Sequence, residues 1–263
     1  MSEEIRRQRC SAFGVEFTLA AESDELLEAL RICAPWGTEI VRSGAGAASE
    51  FSLVCGGGGF RAALNGETLV EAETLAAAVD ALAGELMVHV AEFAPERVFV
   101  HAGVVAWRGG ALVLPGGSFA GKTTLVAELV RAGAVYYSDE YAVLDGEGRV
   151  HPYPRALGMR TSNGDAQMAV SVAALGGVAG EGPLRVSHVI FAGFALGAVW
   201  NPESVSSGMA ALELLRHAIP VRRTPARVMA TLAAMLRGAK VLRSQRGEAK
   251  ETAEAVLALM SRR

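Results

Sequence analysis

Cysteine is scarce in this chain, and so are aromatic residues: three cysteines and 6% Phe, Trp and Tyr in 263 residues. Cys10, Cys33 and Cys55 are odd in number and match no zinc or redox spacing, so they read as small apolar side chains. Apolar runs are short as well. None reaches the roughly 18 residues of a membrane span, and the longest, "VIFAGFALGAVW", holds two glycines. The opening "MSEEIRRQRC" has charge but no apolar core, so no signal peptide is expected and a cytoplasmic, reducing location is the default. A basic surplus is missing too. The net charge of -3 gives no reason to expect nucleic acid or an anionic membrane as partner. Low complexity is absent, because the 30 glycines are scattered among periodic apolar segments.

With 51% hydrophobic residues, the chain is rich enough in apolar side chains for a sizeable core. "FGVEFTLA" alternates as a strand does. "SDELLEALRIC" follows, with Ser23 placed to cap a helix bearing Leu26, Leu27 and Leu30. "EFSLVC", "GGGG" and "FRAALNGETLV" predict strands joined by tight turns, with Asn65-Gly66 marking a hairpin. "TLAAAVDALAGELMVHVAEF" predicts a long helix with Leu75, Val79, Leu82, Leu86 and Val90 in one stripe, and Pro95 lies beyond its end. "RVFVHAGVVAW" and "GALVLP" predict a hairpin through Arg108-Gly109-Gly110, and "KTTLVAELVRAG" a helix closed by Gly133. "AVYYSDEYAVLD" reads as a strand pair, and "GEGRVHPYPRALGMR" as a turn and a proline-broken extended stretch. "VSHVIFAGFA" and "AKVLRSQ" predict strands. "SSGMAALELLRHA", "TPARVMATLAAMLRG" and "EAKETAEAVLALMSRR" predict helices. The predicted class is α/β, divided into an N-terminal α/β region, residues 1–94, and a larger region, residues 95–263.

The stretch "GGSFAGKTT" follows the apolar run "ALVLP" at once and spells G-x-x-x-x-G-K-T. Gly116, Gly117, Ser118, Phe119, Ala120, Gly121, Lys122, Thr123 and Thr124 therefore predict a strand–loop–helix that binds nucleotide phosphates. Glycines let backbone N–H groups converge on phosphate oxygens, and the helix N-terminus adds its dipole. Lys122 would reach the β- and γ-phosphates, and Thr123 would offer its hydroxyl to Mg²⁺.

Such a site also needs an acid for the metal and, in a kinase, a base for the acceptor. Asp139 and Glu140 end the run "AVYYSDE", 17 positions after Lys122 in the case of Asp139. Adjacent strand residues point to opposite faces, and a turning strand end would let both approach the phosphates. One of the two would then orient or deprotonate the acceptor hydroxyl, and the other would serve Mg²⁺. A solvated turn is the other reading. His101 lies in the apolar run "FVHAGVV", where a lone strand histidine reads first as a core residue. Arg155 and Arg160, on a segment stiffened by Pro152 and Pro154, are either phosphate or acceptor clamps or surface residues. His89, His188 and His217 have no supporting context, and His151 reads as a surface residue.

In order along the chain, "HAGVV", "LPGGSFAGKTTL", "YYSDEYAVLD", "HPYPRALGMR" and "ALELLRHA" resemble segments of the HPr kinase/phosphorylase superfamily, more closely its short HPr-kinase-like relatives. The resemblance is specific over about residues 97–162. It implies a P-loop kinase core of the HPr kinase/phosphoenolpyruvate carboxykinase type, using ATP and Mg²⁺ to phosphorylate a hydroxyl. The acceptor would be a serine of a peptide or protein, or else a small molecule. A nucleotide-dependent regulatory protein without transferase activity is a further reading. By position, Asp139 is implied as catalytic base, Glu140 as metal-linked acid, and His101 as a neighbour of the phosphates or acceptor. Family members often form rings, so a homo-oligomer is a further implication. Two features differ: the type enzyme has two adjacent aspartates where this chain has Asp139 and Glu140, and its Arg-Gly-rich segment, tied to the reverse reaction, is replaced by "FAGFALGAVWNPE". Phosphorylase activity is therefore not expected.

Overall fold

The computed structural model describes residues 5–42, 49–117, 121–160 and 167–262, with Arg160 and Gln167 described in their backbone only. The described residues form a mixed α/β protein with six α-helices and three sheets. The chain divides into two compact units, Met1–Glu96 and Arg97–Arg263. Among the described residues, no helix is long and apolar enough to cross a membrane.

The first unit runs β1 (Arg6–Ala12), β2 (Val15–Ala21), α1 (Asp24–Cys33), β3 (Glu39–Ile40), β4 (Ser49–Gly56), β5 (Gly59–Leu64), β6 (Glu67–Ala72) and α2 (Leu75–Phe93). Its sheet has the order β3-β1-β2-β4-β5-β6, antiparallel except for β2–β4. The hairpin at Asn65-Gly66 has φ of 51° and 85°, the pair of positive values that a two-residue type I′ turn requires. Ser23 caps α1 by accepting from Leu26 N, and Thr74 caps α2 by accepting from Ala77 N. The helices cover the inward face of the sheet, where Phe17, Leu19, Phe51 and Leu53 are buried with Leu30, Leu82 and Leu86. Phe17 meets Phe51 edge to face at 6.3 Å, and His89 meets Phe51 likewise at 5.4 Å, so this histidine serves the packing.

The second unit runs β7 (Val98–Trp107), β8 (Gly110–Pro115), α3 (Lys122–Arg131), β9 (Val135–Ser138), β10 (Tyr141–Leu144), β11 (Arg149–His151), β12 (Leu157–Arg160), β13 (Gln167–Val170), β14 (Leu184–Phe194), β15 (Glu203–Ser204), α4 (Ser207–Leu215), α5 (Pro225–Leu236), β16 (Lys240–Arg246) and α6 (Ala249–Ser261). β8, β14 and β16 lie parallel and adjacent, so the segments after all three leave from one edge of the sheet. β11 pairs with both β10 and β14, closing a circuit of pairings through β7 and β8. One face is covered by α3 and α6 through Leu125, Val126, Leu129, Val256 and Leu257. The other is covered by α4 and α5 through Ala210, Leu214, Val228, Leu232 and Met235.

The strand pair expected in "AVYYSDEYAVLD" takes a different form. β9 and β10 do not pair with each other; both pair with β7, end to end along one edge of it. The reason is the length of β7, whose ten residues supply hydrogen bonds to both segments. β12 and β13 form a small separate hairpin, and β13 carries no alternation that would have announced it.

Candidate functional site

The buried strand β8, with Ala111 to Leu114 at or below 2% exposure, delivers the chain to Gly116 and Gly117. Ser118, Phe119 and Ala120 lie outside the described residues. Gly121 then caps α3 in the left-handed region, at φ 75° and ψ 18°, and a Cβ on it would run into Nη2 of Arg246. Glycine is needed there for both reasons. Lys122 is half-buried and donates from Nζ to the Gly117 carbonyl at 2.7 Å, folding back along the loop. Thr123 is half-buried and Thr124 exposed.

Asp139 reaches this loop because of an irregularity in β9. Val105 pairs with Tyr136 but Val104 pairs with Ser138, so Tyr137 is an extra residue. A bulge of this kind changes which face the following side chains occupy. Tyr136 packs on the α3 side and Tyr137 on the opposite side. Without the bulge, Asp139 would follow Tyr137. With it, Asp139 comes to the α3 side, where its Oδ1 lies 3.9 Å from where a Cβ on Gly103 would be. That same Cβ would stand 2.6 Å from Val126 Cγ2, so only glycine at position 103 lets α3 approach β7 this closely. The buried Ser138 hydroxyl accepts from Glu140 N at 3.1 Å and Tyr141 N at 3.0 Å, satisfying both amides where the strand bends.

Burial pushes the Asp139 carboxyl up to about 6; a hydrogen bond from the Thr123 hydroxyl and the Lys122 charge oppose the shift, and Glu140 adds to it. Among the described residues, its Oδ1 is buried without a hydrogen-bond partner. Burial lowers the Lys122 ammonium, and Asp139 and Glu140 counteract this. Glu140 is half-exposed, with Oε2 3.9 Å from Nη1 of Arg155. The Arg155 carbonyl accepts from the Tyr136 hydroxyl at 2.8 Å, pinning that segment beside the acids. The side chain of Arg160 lies outside the described residues.

His101 links two parts of this neighbourhood. Its carbonyl accepts from Gly116 N at 3.4 Å, and its amide donates to the His217 carbonyl at 2.8 Å. Burial, Lys122 and His217 lower its ring to about 4, so it is neutral at physiological pH. His217 is half-buried; burial, Lys122 and Arg216 lower its ring against the pull of Glu213. The sequence reading gave His217 no role, since nothing in "ALELLRHA" says that the end of α4 lies against β7. His151 is not a plain surface residue either. Its Nε2 lies 2.9 Å from Oδ2 of the buried Asp145, in a turn that Arg149 also braces. His188 is buried among β8, β14 and β16.

Among the described residues, no group of three or more His, Cys, Asp or Glu side chains could hold a metal ion unaided. A phosphate-bound Mg²⁺ asks for less, one or two carboxylates with phosphate and water oxygens completing the shell. The Thr123 hydroxyl, the unpartnered Oδ1 of Asp139 and the half-exposed Glu140 are donors of the right chemistry for that arrangement. No protein-family model matches the chain, and no curated protein matches it.

Proposed function

We propose that the chain is an ATP-dependent, Mg²⁺-requiring phosphotransferase of the HPr-kinase-like type, acting on a hydroxyl, by preference a serine of a peptide or protein. The observation that carries this reading is the meeting of Lys122, Thr123 and Asp139 at one helix N-terminus, with a buried carboxylate oxygen of Asp139 that has no partner among the described residues. A carboxylate oxygen at that place can serve phosphate-bound Mg²⁺ in any nucleotide-binding protein, and a transferase can also use it as a base. Such an oxygen suits a group that must take a proton from an incoming hydroxyl.

In this reading the Gly-rich loop and Lys122 hold the phosphates of ATP. When bound, Mg²⁺ would be held by Thr123 and Glu140 and would neutralise charge on the β- and γ-phosphates. Asp139 accepts the proton of the acceptor hydroxyl. The acceptor oxygen forms a bond to the γ-phosphorus, the bond from that phosphorus to the β,γ-bridging oxygen breaks, and ADP leaves. His101 stays neutral and shapes the wall beside Lys122. Arg155 steers Glu140. The unrelated reading of the same fold, in which the hydroxyl belongs to a small molecule, uses the same residues.

The test is Asp139→Asn, assayed for ATP binding by calorimetry and for phosphoryl transfer from labelled ATP to serine-containing peptides and small hydroxyl compounds. The variant is expected to bind ATP and to lose transfer by about 10²–10⁴-fold, the usual share of a general base. Transfer at the parent rate would overturn the assignment.

A further inference from the structure

Arg246 is the last residue of β16, in register with Phe194 at the end of the parallel strand β14. Its side chain is 3% exposed, unusually low for arginine. Nη2 donates to the Gly121 carbonyl at 2.7 Å and Nη1 to the Gly247 carbonyl at 3.0 Å, and the guanidinium lies over the Phe194 ring at 5.3 Å. Nε is buried with no partner among the described residues. Among the described residues, no carboxylate comes within ion-pair distance of Arg246, and Glu248 acts on it only from further away.

A buried cation is costly unless an anion balances it. Two carbonyls and an aromatic ring are partial compensation. The residue that Arg246 grips is the one where the Gly-rich loop turns into α3, and the Gly121 carbonyl also accepts the first helical hydrogen bond, from Leu125 N at 3.3 Å. Arg246 thus fixes the left-handed turn that aims the first amides of the helix, and it places a second positive charge near the loop in addition to Lys122. An unbalanced charge at this place is understandable if the missing anion is the one the loop receives.

We infer that Arg246 is a positioning residue of the polyphosphate site: it holds Gly121 and supplies fixed positive charge behind the loop. The inference rests on the phosphotransferase reading above for its physiological ligand, but its physical content concerns any polyphosphate. The experiment measures dissociation constants of ATP, ADP, AMP and inorganic tripolyphosphate by calorimetry, with melting temperature, for the parent, Arg246→Lys, Arg246→Gln and Arg246→Met. Arg246→Met should weaken ATP and tripolyphosphate by about tenfold or more, as expected for loss of a charge-assisted contact. The loss should shrink from ATP to ADP to AMP. Arg246→Lys should recover most of the affinity. A purely structural arginine would lower the melting temperature and leave the ratio of ATP to AMP affinity unchanged; that result, or parent-like tripolyphosphate binding by Arg246→Met, would overturn the inference. Should Arg246→Met not fold, Arg246→Gln, a polar neutral side chain too short to reach the Gly121 carbonyl, decides on the same criteria. A parent that binds tripolyphosphate but not ATP removes the phosphotransferase reading and leaves the role of Arg246 to be judged by the same variants. A parent that binds neither removes both.

Discussion

Both units pair charges at the surface, and they differ in the charge they bury. In the first, Arg6–Asp24, Arg7–Glu50, Arg9–Glu16 and Arg31–Glu28 pair at or near the surface, and the buried positions belong to Phe, Leu, Ala, Val and Cys10. In the second, Lys122, Asp139, His101, His217 and Arg246 are drawn away from water around one loop, and burial is the first cause of the shift in every one of them. Desolvating five ionisable groups in one neighbourhood opposes folding, and a chain under no other demand would pair or solvate them. The first unit shows that this sequence can arrange charge the ordinary way. The second departs from it around the loop to which the proposed function assigns phosphate binding.

Substitutions can break this contrast. The largest effect is expected in the first unit from Phe51→Ala, which empties the edge-to-face cluster with Phe17 and His89 and should cost about 3–5 kcal/mol in a chemical denaturation experiment. Lys122→Ala should weaken ATP binding by about tenfold to a hundredfold in calorimetry, the equivalent of one or two charged hydrogen bonds; unchanged affinity would count against the loop as a phosphate site.

Asp139 sharpens the comparison through stability. Its carboxyl is raised in the folded state from an ordinary value of 3.8 to about 6. The folded protein therefore holds a proton that the unfolded chain has released across that window, and stability falls as pH rises from about 4 to about 6. Asp139→Asn removes the desolvated charge and should be more stable than the parent at pH 7, by about 1–3 kcal/mol, yet no more stable at pH 4. Lower stability of the variant at pH 7 would contradict the burial argument. The same ionisation should appear in kinetics: kcat/KM for transfer should climb between pH 5 and 7, with no separate limb from His101, which is neutral throughout. The smallest effect is expected from Arg7→Ala, whose exposed pair with Glu50 should be worth less than about 1 kcal/mol.

Much of the local structure was legible because neighbours in sequence decide it. Ser23 caps the helix that its spacing to Leu26 and Leu30 predicts, Asn65-Gly66 turns a hairpin, Arg108 and Gly109 turn another with positive φ, and Gly133 follows the end of α3 in the left-handed region. The stripe on α2 was legible in part: Leu82, Leu86 and Val90 are buried, Leu75 and Val79 are only half-buried, and Ala78, Ala83 and Ala91 widen the buried face. The hairpin joining β1 and β2 was missed, since Phe13 is a poor signal for a positive φ of 51°.

By itself the sequence determined the periods, caps and turns, and the order in which a Gly-rich loop, its lysine and an acidic pair occur. Each depends on residues a few positions apart. Only the tertiary structure decided which side of the sheet Asp139 faces, because that parity depends on one extra residue, Tyr137, measured against a partner strand some 33 positions earlier at Val104. The same holds for His217 against His101 and for Arg246, 125 positions from the Gly121 carbonyl it holds. These pairings follow from how strands and helices pack, and no local pattern records them.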